Sequence, residues 1–128
     1  MNTDCERAVA CIIDDDEDMR VVLARVVRTV GLEAELYESA ESFLQRLSAK
    51  PIRCLLVDFR LVGMTGVALV EKIAVRQRCD FPVFLISGAL DGTSASRARR
   101  FGVRIVDMPF NVRDLAQQIS AATQGRDH

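Results

Sequence analysis

Three aspartates stand where short apolar runs stop: Asp14 and Asp15 directly after Ile13, and Asp58 directly after Val57. A hydroxyl and a glycine, Ser87 and Gly88, follow a third such run ending at Ile86. If the fold brings these run ends together, three carboxylates meet beside a hydroxyl. Two carboxylates about 4 Å apart repel by about 4 kcal/mol at an effective dielectric near 20, so such a cluster either raises its pKa values or binds a cation. A hard divalent ion is the natural partner. Mg2+ takes oxygen ligands in octahedral geometry, keeps several waters and commonly bridges to phosphate. The neighbouring Asp16, Glu17 and Asp18 read differently, as the solvated first turn of a helix, where acidic residues are favoured.

The elements that must position these residues follow from hydrophobic patterning. Ala8 to Ile13, Cys54 to Val57 and Pro82 to Ile86 are short, almost wholly apolar runs, as expected of strands buried on both faces of a parallel sheet. Glu33 to Tyr37 and Val103 to Val106 are more mixed and suit the two sheet edges. Between them lie helical stripes: Val22, Val26 and Val30 with Leu23 and Val27, then Phe43, Leu44 and Leu47. Three more helices are expected at about Gly66 to Arg78, Gly92 to Phe101 and Asn111 to Thr123, the last capped by Asn111 with Asp114 three residues on. Strict β/α alternation with short connections predicts an α/β fold: a doubly wound, five-stranded parallel sheet in a three-layer α/β/α sandwich, with the flavodoxin-like order 2-1-3-4-5. Ligands of such sheets sit outside the carboxyl ends of the strands at the switch in winding, here between strands one and three. The residues after Ile13, Val57 and Ile86 are therefore expected to share one pocket.

Composition narrows the function classes. The 128 residues, 49% of them hydrophobic, fit one domain with its core at about residues 8–123, and a second catalytic or DNA-binding domain is not expected. Seventeen basic and 18 acidic side chains leave a formal charge of -1, so no net field attracts nucleic acid or an anionic membrane. Residues 1–7 lack the apolar core of a signal peptide, and no apolar run approaches the roughly 20 residues of a membrane span. A cytoplasmic protein is expected. Cys5, Cys11, Cys54 and Cys79 show no CxxC spacing and read as small buried hydrophobes. The sole histidine, His128, gives no basis for histidine catalysis.

With the segments Ile12 to Arg20 (IIDDDEDMR), Leu55 to Asp58 (LLVD), Leu85 to Gly88 (LISG) and Met108 to Phe110 (MPF) in this order, the chain resembles the receiver domain of two-component response regulators over about residues 8–123. The resemblance implies Asp58 as phosphoacceptor, Asp15 as a direct Mg2+ ligand, Asp14 as a second acidic ligand acting partly through water, and the backbone carbonyl of Arg60 as a third. Asp58 would also touch the metal, and Ser87 would be the switch hydroxyl that follows the phosphoryl group. It implies a non-enzymatic role: a phosphoryl group arrives from a histidine kinase or phosphotransfer protein, and output passes to a protein partner through the face of helix four, strand five and helix five. Direct nucleic-acid binding is not implied, and homodimerisation is left open. The alternative is a pseudo-receiver, a phosphorylation-independent interaction module.

This chain departs from the family pattern in several places. Met108 stands where the family has a lysine directly before the Pro-Phe; it is either drift to an apolar filler or the mark of altered phosphorylation or output. The two lysines present, Lys50 and Lys72, are expected far from the carboxyl edge. Ile105 replaces an aromatic that swings with the switch hydroxyl, and Val62 replaces a loop proline. Arg60 and Ala89 occupy positions that tune phosphoryl lifetime; Arg60 either leans over the phosphate or is a solvated arginine. The basic residues Arg97, Arg99, Arg100 and Arg104, against Asp91 and Asp107, form either a docking stripe or a solvated helix face. An aspartyl phosphatase would want an aspartate where Arg60 stands, and a dinucleotide site would want a glycine-rich loop after the first strand.

Overall fold

A computed structural model describes residues 8–46, 50–61, 64–76, 81–88 and 92–124. In chain order its elements are β1 (Val9–Ile13), α1 (Glu17–Thr29), β2 (Glu33–Tyr37), α2 (Ala40–Leu44), β3 (Ile52–Asp58), β4 (Arg60–Leu61), β5 (Met64–Thr65), α3 (Gly66–Arg76), β6 (Val83–Ser87), α4 (Gly92–Arg100), β7 (Arg104–Asp107) and α5 (Val112–Gln124). Five of the strands form one parallel sheet in the order β2-β1-β3-β6-β7. Counting only the strands of that sheet, this is the expected 2-1-3-4-5 arrangement. The expected edges, β2 and β7, are its edges.

Strand periodicity splits the core in two. On β1, Val9, Cys11 and Ile13 face a cluster with Phe43, Leu69, Val70, Ile73 and Ala98, from α2, α3 and α4. Ala10 and Ile12 face the other side, with Leu23, Val26 and Val27 of α1 and Leu115 and Ile119 of α5. Every residue of β1 and β6 is buried, which is why those runs are apolar without alternation. Cys11 and Cys54 are free, buried thiols within this core, pushed up to about 12 chiefly by burial, so neither is a nucleophile at neutral pH.

Caps set the helix ends. Asp16 accepts from the Asp18 N–H and opens α1, and Asn111 Oδ1 accepts from the Asp114 N–H (3.0 Å) and opens α5 as expected. Helices α1 and α4 end alike: Gly31 and Gly102 take positive φ, and paired bonds (Gly31 N–H to Arg28 O with Leu32 N–H to Val27 O; Gly102 N–H to Arg99 O with Val103 N–H to Ala98 O) turn the chain into β2 and β7.

Three details differ from the sequence expectation. Val22 is 38% exposed and lies off the buried stripe of α1, which is Leu23, Ala24, Val26 and Val27; a residue one 100° step before Leu23 falls on the flank. Strand β3 extends beyond Cys54–Val57 at both ends, and Arg53 fits inside it because its guanidinium donates to Thr123 O at 3.2 Å, off the sheet. The short antiparallel ribbon of β4 and β5 was not anticipated. Leu47, Val62, Arg78, Cys5, Cys79, Ala89, Asp91 and His128 lie outside the described residues.

Candidate functional site

Parallel register levels the strand ends. Ile13 pairs with Val57, Asp58 with Ile86, and Ser87 with Asp107, so the residue after β1, Asp14, comes level with Asp58. Carboxylate oxygens of Asp14, Asp15 and Asp58 all lie within 4.8 Å of one another. Asp14 is buried, Asp58 half-buried and Asp15 exposed, which leaves the cluster open to solvent on one side.

The chain pins this cluster through its backbone. The Asp14 N–H donates to Tyr37 O (3.1 Å), its carbonyl accepts from Arg20 Nη1 (2.6 Å), and its Oδ1 accepts from the Asp16 N–H (2.9 Å). Asp58 Oδ1 accepts from the Arg60 N–H at 3.2 Å, and the Phe59 N–H donates to Ile86 O at 2.9 Å. Behind Asp58, α3 begins at Gly66 in a space that excludes any side chain. A Cβ there would lie 2.6 Å from Leu85 Cδ1 and 2.8 Å from Asp58 O, while the Gly66 N–H reaches Phe59 O at 2.7 Å. Sequence reading placed Gly66 at the start of a helix but gave it no part in the site; a glycine opening a helix eight residues after the key aspartate was the available signal. It likewise quoted Arg20 only as part of a motif.

The carboxyls of Asp14 and Asp58 are held above their ordinary range. Burial raises Asp14 from 3.8 to about 6, helped by the charges of Asp58 and Asp15 and opposed by the Asp16 N–H bond. Asp58 is raised for the same first reason, burial, with the Arg60 N–H bond and the Arg60 charge opposing. Ser87 is buried, and its Oγ has no hydrogen-bond partner among the described residues. A buried hydroxyl without a partner is costly, and here it lines the same hollow as Asp58. That hollow has two lobes. One, of about 220 Å³, is edged by Asp14, Asp15, Asp16, Met19 and Met108; the other, of about 240 Å³, by Phe59 and Arg60; Asp58, Ser87 and Gly88 border both.

Met108 lies at the pocket rim and packs against the core layer formed by α1 and α5. Its N–H donates to Ser87 O at 2.9 Å, and the Met108–Pro109 peptide is cis. No lysine compensates for the missing charge: Lys50 Nζ pairs with Glu33 at 2.8 Å at the amino end of the sheet, and Lys72 is exposed on α3. Ile105 is half-buried against the α2, α3 and α4 layer. Of the basic stripe, Arg97 is held by Glu71 (2.6 and 3.1 Å) and Arg104 sits over the Phe84 ring, whereas Arg99 and Arg100 are exposed.

The model of the response regulator receiver domain matches residues 10–120. The chain belongs to that family. Among relatives, it is 32% identical over 119 residues to Nodulation protein W of Bradyrhizobium diazoefficiens, covering 92% of this chain and 52% of that one. It is 31% identical over 118 residues to the DNA-binding transcriptional regulator NtrC of Klebsiella pneumoniae, covering 91% of this chain and 25% of that one. This receiver chain thus spans about half or less of these relatives. A solved CheY-like receiver domain protein from Methanospirillum hungatei superposes with TM-score 0.83 at 22% identity, over 94% of this chain and 96% of that one. A BeF3-activated DrrB receiver domain superposes with TM-score 0.77 at 18% identity, over 89% and 95%. These likenesses bear out the receiver fold.

Proposed function

We propose that this receiver is a phosphoacceptor in a two-component relay, modified on Asp58 by a histidine kinase or phosphotransfer protein. The observation that carries the reading is the convergence of Asp58 with two further carboxylates and the unpartnered, buried Ser87 Oγ on one open pocket. A hard-oxygen donor set of this kind fits Mg2+, with Asp14, Asp15, Asp58 and the carbonyl of Arg60 as the groups that would hold it. Bound there, the ion offsets the negative charge that gathers on the transferring group.

The chain's own contributions follow from geometry. A carboxylate oxygen of Asp58 forms a bond to phosphorus as the phosphorus–nitrogen bond of the donor phosphohistidine breaks, its electron pair returning to the imidazole. Asp58 is consumed once per signal, so the role is that of an acceptor and not a turnover enzyme. The Ser87 hydroxyl, buried without a partner among the described residues, would donate to a phosphoryl oxygen. Gly88 adds no side chain at the rim. The gain of that bond shifts an existing equilibrium of the loops around Ser87 and Met108.

Output then passes to a protein partner through α4, β7 and α5, where Arg99, Arg100 and Phe101 are exposed. No helix among the described residues is long and apolar enough to cross a membrane, and the reading places the relay in the cytoplasm. Intact-mass spectra after treatment with acetyl phosphate and Mg2+ test the acceptor. Wild type should gain one phosphoryl group and Asp58→Asn none. A wild type that binds Mg2+ yet never gains mass would return the phosphorylation-independent module.

A further inference from the structure

We infer that Arg20 is a positioning residue for the acidic pocket, holding the turn after β1 in the shape that lets Asp14 and Asp15 converge on Asp58. The inference rests on the reading of that cluster as a Mg2+ site, and it names a residue outside the donor set.

Sheet register fixes only one side of Asp14. Strand β1 ends at Ile13, level with Tyr37 of β2 and Val57 of β3. The Asp14 N–H still reaches Tyr37 O at 3.1 Å, but its carbonyl lies past the last rung of the ladder. That carbonyl accepts from Arg20 Nη1 at 2.6 Å. Helical side chains point back toward the helix N-terminus, and Arg20 lies one turn into α1, its own N–H donating to Asp16 O at 3.0 Å, so its guanidinium comes back over the turn. With the Asp16 N–H donating to Asp14 Oδ1 at 2.9 Å, the turn is closed from both ends.

Such a clasp has work to do, because residues 14 to 18 are all acidic and repel one another. Their repulsion opposes the convergence of the Asp14, Asp15 and Asp58 oxygens within 4.8 Å. Arg20 is half-buried and borders neither lobe of the hollow, so it steadies the main chain without occupying the carboxylates. Mg2+ demands near-ideal octahedral geometry, whereas Ca2+ accepts looser and more variable shells. A fixed turn therefore matters more for the smaller ion.

The test is calorimetric titration of the full chain with Mg2+ and, separately, with Ca2+, at a temperature where circular dichroism shows every variant folded. Arg20→Gln is too short to reach Asp14 O and should weaken Mg2+ binding about tenfold, the effect usual for a group that orients a ligand, and Ca2+ binding less. Arg20→Lys, which keeps a charged donor of similar reach, should recover most of the Mg2+ affinity. Arg25→Gln, which removes an exposed cation elsewhere on α1, should not weaken it. The sign is decisive: were Arg20 only a nearby positive charge, its removal would tighten binding of a cation. Tighter or unchanged Mg2+ binding in Arg20→Gln, with Asp15→Ala weakened, overturns the role of Arg20 and leaves the metal reading standing. Equal losses for Mg2+ and Ca2+, or no recovery with lysine, mark a general loosening of α1 and overturn the inference too. A wild type that binds no Mg2+ overturns both.

Discussion

Replacing Asp14 by asparagine should stabilise the metal-free protein. Asp14 is 3% exposed, and burial, then the Asp58 and Asp15 charges, raise its carboxyl from 3.8 to about 6. Above pH 6 both folded and unfolded chains carry the ionised form, and the folded one carries it at a cost of about 3 kcal/mol. Asparagine removes the charge and keeps an oxygen to accept from the Asp16 N–H, although a neutral acceptor forms a bond weaker by about 1 kcal/mol. The net gain at pH 7.5 is then about 1 to 2 kcal/mol, or roughly 4 to 8 °C in melting temperature for a chain of this size.

The sign of the pH dependence discriminates. A carboxyl raised in the folded state lends its stability at low pH and withdraws it as pH rises through the folded value. Going down from pH 7, wild-type Asp14 takes up its proton near pH 6, before the unfolded chain does, and the gap to the variant should close by about pH 4. Mg2+ should also narrow the gap by stabilising wild type more. Denaturation melts with and without Mg2+ at a series of pH values measure all three. An Asn variant that is less stable at pH 7.5, or whose advantage is the same at pH 4 and 7.5, would refute the reasoning.

Gly66→Ala should destabilise by about 2 kcal/mol or more, because its Cβ has backbone and Leu85 within 2.8 Å, and should shift the NMR signals of Asp58 and Phe59. Glu35→Ala should cost about 2 kcal/mol in chemical denaturation, since Glu35 Oε1 accepts from Tyr37 Oη at 2.9 Å and Arg46 Nε at 2.8 Å, and both donors are partly buried. Met108→Lys should make phosphorylation by acetyl phosphate less steeply dependent on Mg2+ than in wild type, read as initial rates across a metal series. Equal dependence would mark Met108 as neutral at this step.

The part of the site that was legible in the sequence is the part that parallel strands enforce. Runs ending at Ile13, Val57 and Ile86 are buried on both faces, so their polar successors must emerge at one edge, and Asp14, Asp58 and Ser87 do. Asp16, read as part of the first turn, is the cap of α1, whereas the cap at Asn111 was legible because its bond is local. Contacts across the fold were not. The grip of Gly66 on Asp58 depends on where α3 meets β6, and the Glu35, Tyr37 and Arg46 network joins β2 to the end of α2; neither leaves a periodic trace. The ribbon at Arg60–Leu61 and Met64–Thr65 is too short for period-two patterning to show.

The unmodified pocket holds three unfavourable features in one place: the raised carboxyls of Asp14 and Asp58, and the unpartnered Ser87 Oγ. Any ligand shifts a two-state equilibrium only by what it gains in one state over the other. On the proposed function a divalent ion would relieve the first two, and an anion on Asp58 the third. On that reading the resting pocket is the less favourable state, and a ligand bound there shifts the equilibrium by what it relieves locally.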